Sequence, residues 1–200
     1  ESPFQEGPVV NAVNQVTAAG VLYFSSAANS GNKDHGQSGS WEGDYNANGT
    51  IAGLPAATTV HNFGDGGKSI LVTLGTGNPT TLHWNDPFGA SGNDYDLYLM
   101  NGTLTSVLDS STNVQNGNDN PYEIMGGNAA GNRIVVLQHN GAANRAINLT
   151  TNRGRLDQTL ATAGNVRGHN GSNTTVSVAA TPAAGAIGPP PNPVGPYPGT

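Results

Sequence analysis

Asp86, Asp94 and Asp96 lie around a short Gly- and Ser-containing stretch, and carboxylates so placed offer the oxygen ligands that calcium takes. These three are the candidate metal ligands of the chain, calcium is the candidate ion, and no other cofactor is required. A full calcium cage takes roughly six to eight oxygens. No EF-hand glutamate follows, and alternation along the Asp94-Tyr95-Asp96 strand is expected to turn one carboxylate away from the other. On the competing reading these side chains accept backbone hydrogen bonds in turns.

The five histidines, His35, His61, His83, His139 and His169, are widely spaced and form no zinc motif. Gly36-Gln37-Ser38-Gly39 and Gly89-Ala90-Ser91-Gly92 look like nucleophile elbows, but neither completes Gly-x-Ser-x-Gly, and both read as loops. Gly75-Thr76-Gly77 lacks the third glycine and the following helix of a phosphate-binding turn, which excludes nucleotide cofactors.

The elements that must position any chemistry fall into two kinds. At the amino end, Pro8 suits a first helical position, and Val9, Ala12, Val13, Val16 and Ala19 recur on one apolar helical face. Gly20 is the expected C-cap, and the unbroken apolar run Val21 to Phe24 reads as a parallel strand covered on both faces. It ends in the small polar stretch Ser25-Ser26-Ala27-Ala28-Asn29-Ser30-Gly31, at the carboxyl edge where open α/β sheets place their ligand sites. In the middle of the chain the period changes from helical to alternating. Ile70 to Leu74, Thr81 to Trp84, Tyr95 to Leu99, Leu104 to Leu108, Arg133 to Gln138 and Ala146 to Thr150 are expected strands, separated by turn signals at the spacing of a sandwich.

Helix, apolar strand and a small-residue turn holding one Asn make residues 8–31 resemble the subtilisin-like serine peptidases. So does the carboxy-terminal part: Leu160 to Gly164, expected as a short strand, then Gly168-His169, then the strand Thr174-Thr-Val-Ser-Val-Ala-Ala-Thr181. The resemblance implies that Asn29 is the oxyanion-hole asparagine, with Ala28 where the family usually has glycine, and that Gly168-His169 is a structural turn rather than a catalytic base. The family's Asp-Ser/Thr-Gly, His-Gly-Thr and Gly-Thr-Ser segments are absent, so the catalytic triad is missing and the chain alone is expected to be inactive. Leu82-His-Trp-Asn-Asp86 with Asn93-Asp-Tyr-Asp-Leu-Tyr-Leu99 resembles pre-peptidase carboxy-terminal domains, here inserted, which implies a stabilising or surface-binding role.

The expected fold class is therefore α/β plus all-β: a subtilisin-like parallel-sheet domain interrupted by an antiparallel jelly-roll sandwich. Residues 1–36 and 156–181 form the peptidase layer, 37–155 the sandwich, and 182–200 an extended Pro/Gly-rich tail. Expected partners are the remaining peptidase segments that carry the triad, or like subunits in a structural assembly. A net charge of -6 with only seven Lys and Arg argues against nucleic acid, the absence of Cys removes thiolate chemistry, and no apolar run is long enough for a membrane span. No signal peptide is read in the first residues, and the family resemblance implies a secreted bacterial protein. Sequons occur at Asn48, Asn101, Asn148, Asn170 and Asn173, and Trp41 and Trp84 are expected in the core.

Overall fold

The computed structural model describes residues 1–28, 31–164 and 166–179. Asn29, the residues from 180 on and the tail of 182–200 lie outside the described residues. The chain is mostly β-sheet with one α-helix, and among the described residues no helix is long and apolar enough to cross a membrane.

Pro8 opens helix α1 (Pro8–Ala18), and Gly20, at φ +88°, supplies the left-handed residue that ends it. The helix buries Val10 and Val13, whereas Val9 and Val16 are exposed, so the inward face is rotated from the one the spacing suggests. Strand β1 (Tyr23–Ser26) follows, and it pairs in parallel with the last strand, β12 (Thr175–Val178), in the register Tyr23↔Thr175 to Ser26↔Val178. The expected cover on both faces is missing: Leu22 is 76% and Phe24 61% exposed.

Between these two strands the chain folds as a sandwich. One sheet holds β2 (Ser40–Asp44), β10 (Ala146–Thr150), β5 (Thr80–Trp84) and β8 (Tyr122–Met125), in that order. The other runs β11 (Arg155–Leu156), β4 (Ile70–Leu74), β9 (Arg133–His139), β6 (Tyr95–Met100), β7 (Val107–Ser111), and β3 (Thr58–Val60) also pairs with β9. Setting aside the short β3 and β11, the first, last, third and sixth strands share one sheet and the second, seventh, fourth and fifth the other, the crossing pattern of a jelly roll. All pairings inside the sandwich are antiparallel.

Period-two alternation sends Ile70, Val72, Leu82, Trp84, Tyr95, Leu97, Ile134, Val136, Ile147 and Leu149 into the space between the sheets, all fully buried. The two indoles keep their hydrogen bonds there: Trp41 Nε1 donates to Phe63 O at 3.0 Å and Trp84 Nε1 to Ser91 Oγ at 3.0 Å. A smaller cluster, Val60, Tyr98, Met100, Val135 and Leu137, lies on the outer face of the second sheet and is covered by Ile51, Leu54 and Leu104. Strands β6 and β9 are thus buried on both faces.

Two expected strands differ. The strand placed at Leu104 to Leu108 begins at Val107, because Leu104 sits in a turn at φ +58° and caps the outer cluster. No strand forms at Leu160 to Gly164. Leu160 packs on the main core and Ala161 belongs to it, so the sandwich's packing continues past residue 155.

Candidate functional site

The candidate site of the peptidase reading is the carboxyl end of β1. The strand hands its pairing on to Ala27, whose N–H donates to Val178 O at 2.9 Å. Ala28 then adopts φ +68°, a left-handed conformation that costs an alanine about 1 to 2 kcal/mol, and its N–H donates to Ser26 Oγ at 3.1 Å. Asn29, the predicted oxyanion donor, lies just beyond, outside the described residues.

A polar network holds this unit together. Asn14 Oδ1 on α1 accepts from Thr174 Oγ1 at 2.9 Å and Ser172 Oγ at 3.2 Å, tying the helix to the approach to β12. The segment Gly168–Gly171 forms a 3-10 turn in which Asn170 bonds Ser25 and Ser177, one residue on each parallel strand. His169 packs edge-on to Tyr23, donates its backbone N–H toward Glu1 and pairs with the Glu1 carboxylate through its ring. Burial pushes the Glu1 carboxyl up, but the hydrogen bonds and charge of His169 outweigh it and hold the group below the ordinary value. His169 thus joins the amino end of the chain to the turn before β12. Ser38 and Ser91 also lie in loops: Ser38 Oγ donates to Thr162 O at 2.5 Å, and Ser91 Oγ to Asp86 Oδ2 at 2.9 Å.

The predicted metal ligands separate. Asp86 is buried and saturated, accepting from Ser91 Oγ, from Asn93 N at 3.1 Å, from Asn93 Nδ2 at 2.9 Å and from Arg145 Nε at 2.6 Å. Burial raises its carboxyl, and those donors together bring it below the usual range. Such a carboxylate is a structural acceptor, the turn-stabilising alternative.

Asp94 and Asp96 do come together, contrary to the expected divergence. Residues i and i+2 of a strand share a face, so it is Tyr95 between them that points inward. His139 at the end of β9 joins them across the ladder, its N–H donating to Asp94 O at 3.0 Å. Its Nε2 lies 2.9 Å from Asp96 Oδ2 and 3.9 Å from Asp94 Oδ2. Burial pushes the Asp96 carboxyl up, more than the hydrogen bond and charge of His139 pull it down. Sequence spacing missed His139; the signal available was that β6 and β9 are the two longest apolar strands and hence natural neighbours at the sandwich centre.

His61 and His83 are the buried histidines among the described residues. His61, ringed by Trp41, Tyr45 and Phe63, is pushed by burial down to about 4, and His83, buried and beside the Arg167 cation, to about 3, so both are neutral at pH 7. Of the sequon asparagines, Asn148 is fully buried within β10 and therefore closed to glycosylation in the folded chain. Comparison with family models and with curated proteins finds no match to this chain.

Proposed function

We propose that residues 1–36 and 156–181 are two pieces of the catalytic layer of a secreted subtilisin-like serine endopeptidase, interrupted by the sandwich. The observation that carries this reading is the parallel pairing of β1 with β12, in which Tyr23 meets Thr175 and Ser26 meets Val178 across the whole insertion. Joining two parallel strands that flank a small-residue turn is what the motif resemblance requires and what a self-contained sandwich has no need of.

Two further features support it. Ala28 has the positive φ that glycine, the family's usual residue there, adopts without strain. Phe24, Val176 and Val178 are exposed on a two-stranded parallel sheet, with Leu22 exposed just before it, although parallel sheets are buried on both faces in stable domains. Further strands and helices carrying the Asp, His and Ser of the triad would cover them.

On this reading the Asn29 side-chain amide donates to the oxygen of the scissile carbonyl as it gains charge. The serine attacks, and the histidine takes its proton and later protonates the leaving amine. Those three groups are supplied by sequence other than these residues, and the described residues alone hydrolyse nothing.

The test is Asn29→Ala in the native gene product that contains these residues, assayed on a chromogenic peptide. The expected loss is about 100- to 1000-fold in kcat with little change in KM, the size known for this donor in subtilisin itself. Unchanged kcat overturns the assignment. So does a native product of this length with no triad-bearing companion, which leaves the second class of function, a structural assembly of like subunits meeting through the same exposed strands.

A further inference from the structure

Asp86 shows how this fold neutralises a buried carboxylate: five contacts from four donor groups, one of them the Arg145 guanidinium. Asp94 and Asp96 are treated differently. Among the described residues neither pairs with a Lys or Arg, and His139 is the basic group that meets both. Asp96 is 2% exposed, so a carboxylate there is desolvated with no permanent cation beside it.

The three side chains are close enough to share one ion. One carboxylate oxygen from each aspartate and one imidazole nitrogen all lie within 4.8 Å of one another. Donor atoms held at about 2.0–2.2 Å from a zinc-sized ion stand roughly 3 to 3.5 Å apart. The 2.9 Å and 3.9 Å separations from His139 Nε2 bracket that spacing, so small side-chain rotations would seat an ion.

The ligands also sit on rigid backbone. Asp96 is within β6 and His139 ends β9, which is paired on its other side with β3 at Thr58. The second oxygen of Asp94, Oδ1, accepts from Gln115 N at 3.3 Å, and this outside contact leaves Oδ2 turned toward His139.

We propose that Asp94, Asp96 and His139 bind one divalent transition-metal ion of the zinc class, which clips β6 to β9 at the rim of the outer apolar cluster. An imidazole nitrogen and only three protein ligands suit such an ion, with water completing the shell. Calcium, which takes six to eight oxygens, is poorly served. The site belongs to the sandwich and stands apart from the peptidase reading.

The experiment is calorimetric titration of the metal-free chain with zinc sulfate and, in parallel, with calcium chloride, together with thermal unfolding. One zinc per chain is expected, with a rise in Tm of about 5 to 10 °C at a hundredfold excess over Kd. His139→Gln, at a partly exposed position where the amide is able to keep a hydrogen bond to Asp96, is expected to abolish both effects, and Asp94→Asn to weaken binding at least tenfold. His169→Gln, the control for the His169–Glu1 pair, is expected to leave them intact. Absence of a stoichiometric zinc site, zinc binding retained by His139→Gln, its loss in His169→Gln, or tighter binding of calcium than of zinc would each overturn the proposal.

Discussion

Removing the Asp86 carboxylate tests whether the buried polar knot at the start of the β5–β6 connection holds the sandwich together. In Asp86→Ala, the half-buried Asn93 backbone N–H and amide and the buried Ser91 hydroxyl all lose their acceptor. A buried donor left unpaired costs about 1 to 3 kcal/mol. Taking the low end for each, because Ser91 still holds Trp84 Nε1 and the Asn93 side chain is able to turn outward, gives about 3 kcal/mol. The Arg145 side chain is 37% exposed, so its ion pair adds no more than about 1 kcal/mol after screening by solvent. Urea denaturation should therefore show a loss of about 3 to 4 kcal/mol, or a Tm lower by roughly 6 to 15 °C. The pH profile gives a second readout. The native carboxyl lies below its unfolded value near 3.8, so between those two values the unfolded chain binds the proton first. The stabilisation is thus complete above the unfolded pKa and is lost as the pH falls through the native one. Asp86→Asn should lack that acid-side component. A loss under about 1 kcal/mol in Asp86→Ala, or an unaltered acid slope in Asp86→Asn, would refute the account.

Glu123 should behave in the opposite sense. It is fully buried, with Ser111, Asn113 and Gln115 donating to it, and burial raises its carboxyl more than those donors lower it. The native state then holds the proton more tightly than the unfolded chain, so this group's contribution falls as pH rises above the unfolded value near 4.5. Relative to wild type, Glu123→Gln should gain stability as pH rises through that window, and parallel stability curves from pH 4 to 7 would exclude it. Gly75→Ala should cost about 2 kcal/mol in urea, since a Cβ there would stand 2.3 Å from Ala129 Cα and 2.4 Å from Asn128 O, both backbone atoms that cannot swing aside. A change within about 0.5 kcal/mol would show that this turn yields freely.

The strands that alternation exposes most plainly, Ile70 to Leu74, Thr81 to Trp84, Tyr95 to Leu99, Arg133 to Gln138 and Ala146 to Thr150, match the structure within a residue or two. Each places large apolar groups on one face, and a slip of one residue would expose them. Strands β2 and β3 were not legible. Ser40, Glu42 and Gly43 give β2 no apolar rhythm, and β3 is Thr-Thr-Val, held by pairing along β9. Leu160 is ambiguous for the opposite reason: an apolar residue in a short run suits a strand and a core plug equally, and here Asp157, which accepts backbone bonds from Thr159 and through its carbonyl from Leu160, makes a turn. His139 escaped because its partner Asp96 lies 43 residues away, a distance that only strand pairing bridges.

The way the chain enters and leaves the sandwich bears on how the sandwich is held to its flanking segments. Closing a long insertion costs little more than closing a short one, because loop entropy grows only logarithmically with length. The demand falls instead on the neck, where the outgoing and returning chains must lie side by side. Gln158 clasps them: its Oε1 accepts from Ser38 N at 3.0 Å and its Nε2 donates to Ser38 O at 2.8 Å. Leu156 N–H also reaches Ser38 O at 3.0 Å, and Thr162 N–H reaches Ser40 O at 2.9 Å. Farther out, Arg167 donates to Thr150 Oγ1 at 2.8 Å and to Asn148 Oδ1 at 3.1 Å on the outer face of the first sheet, and Phe88 N donates to Gln5 Oε1 at 3.0 Å. Directional polar contacts of Gln5, Gln158, Thr162 and Arg167 therefore hold the sandwich to the segments that flank it. On the peptidase reading, the neck begins a few residues after the oxyanion turn. On that reading, loosening it should lower turnover while leaving the pairing of β1 with β12 in place, the sandwich acting through position and contributing no catalytic group.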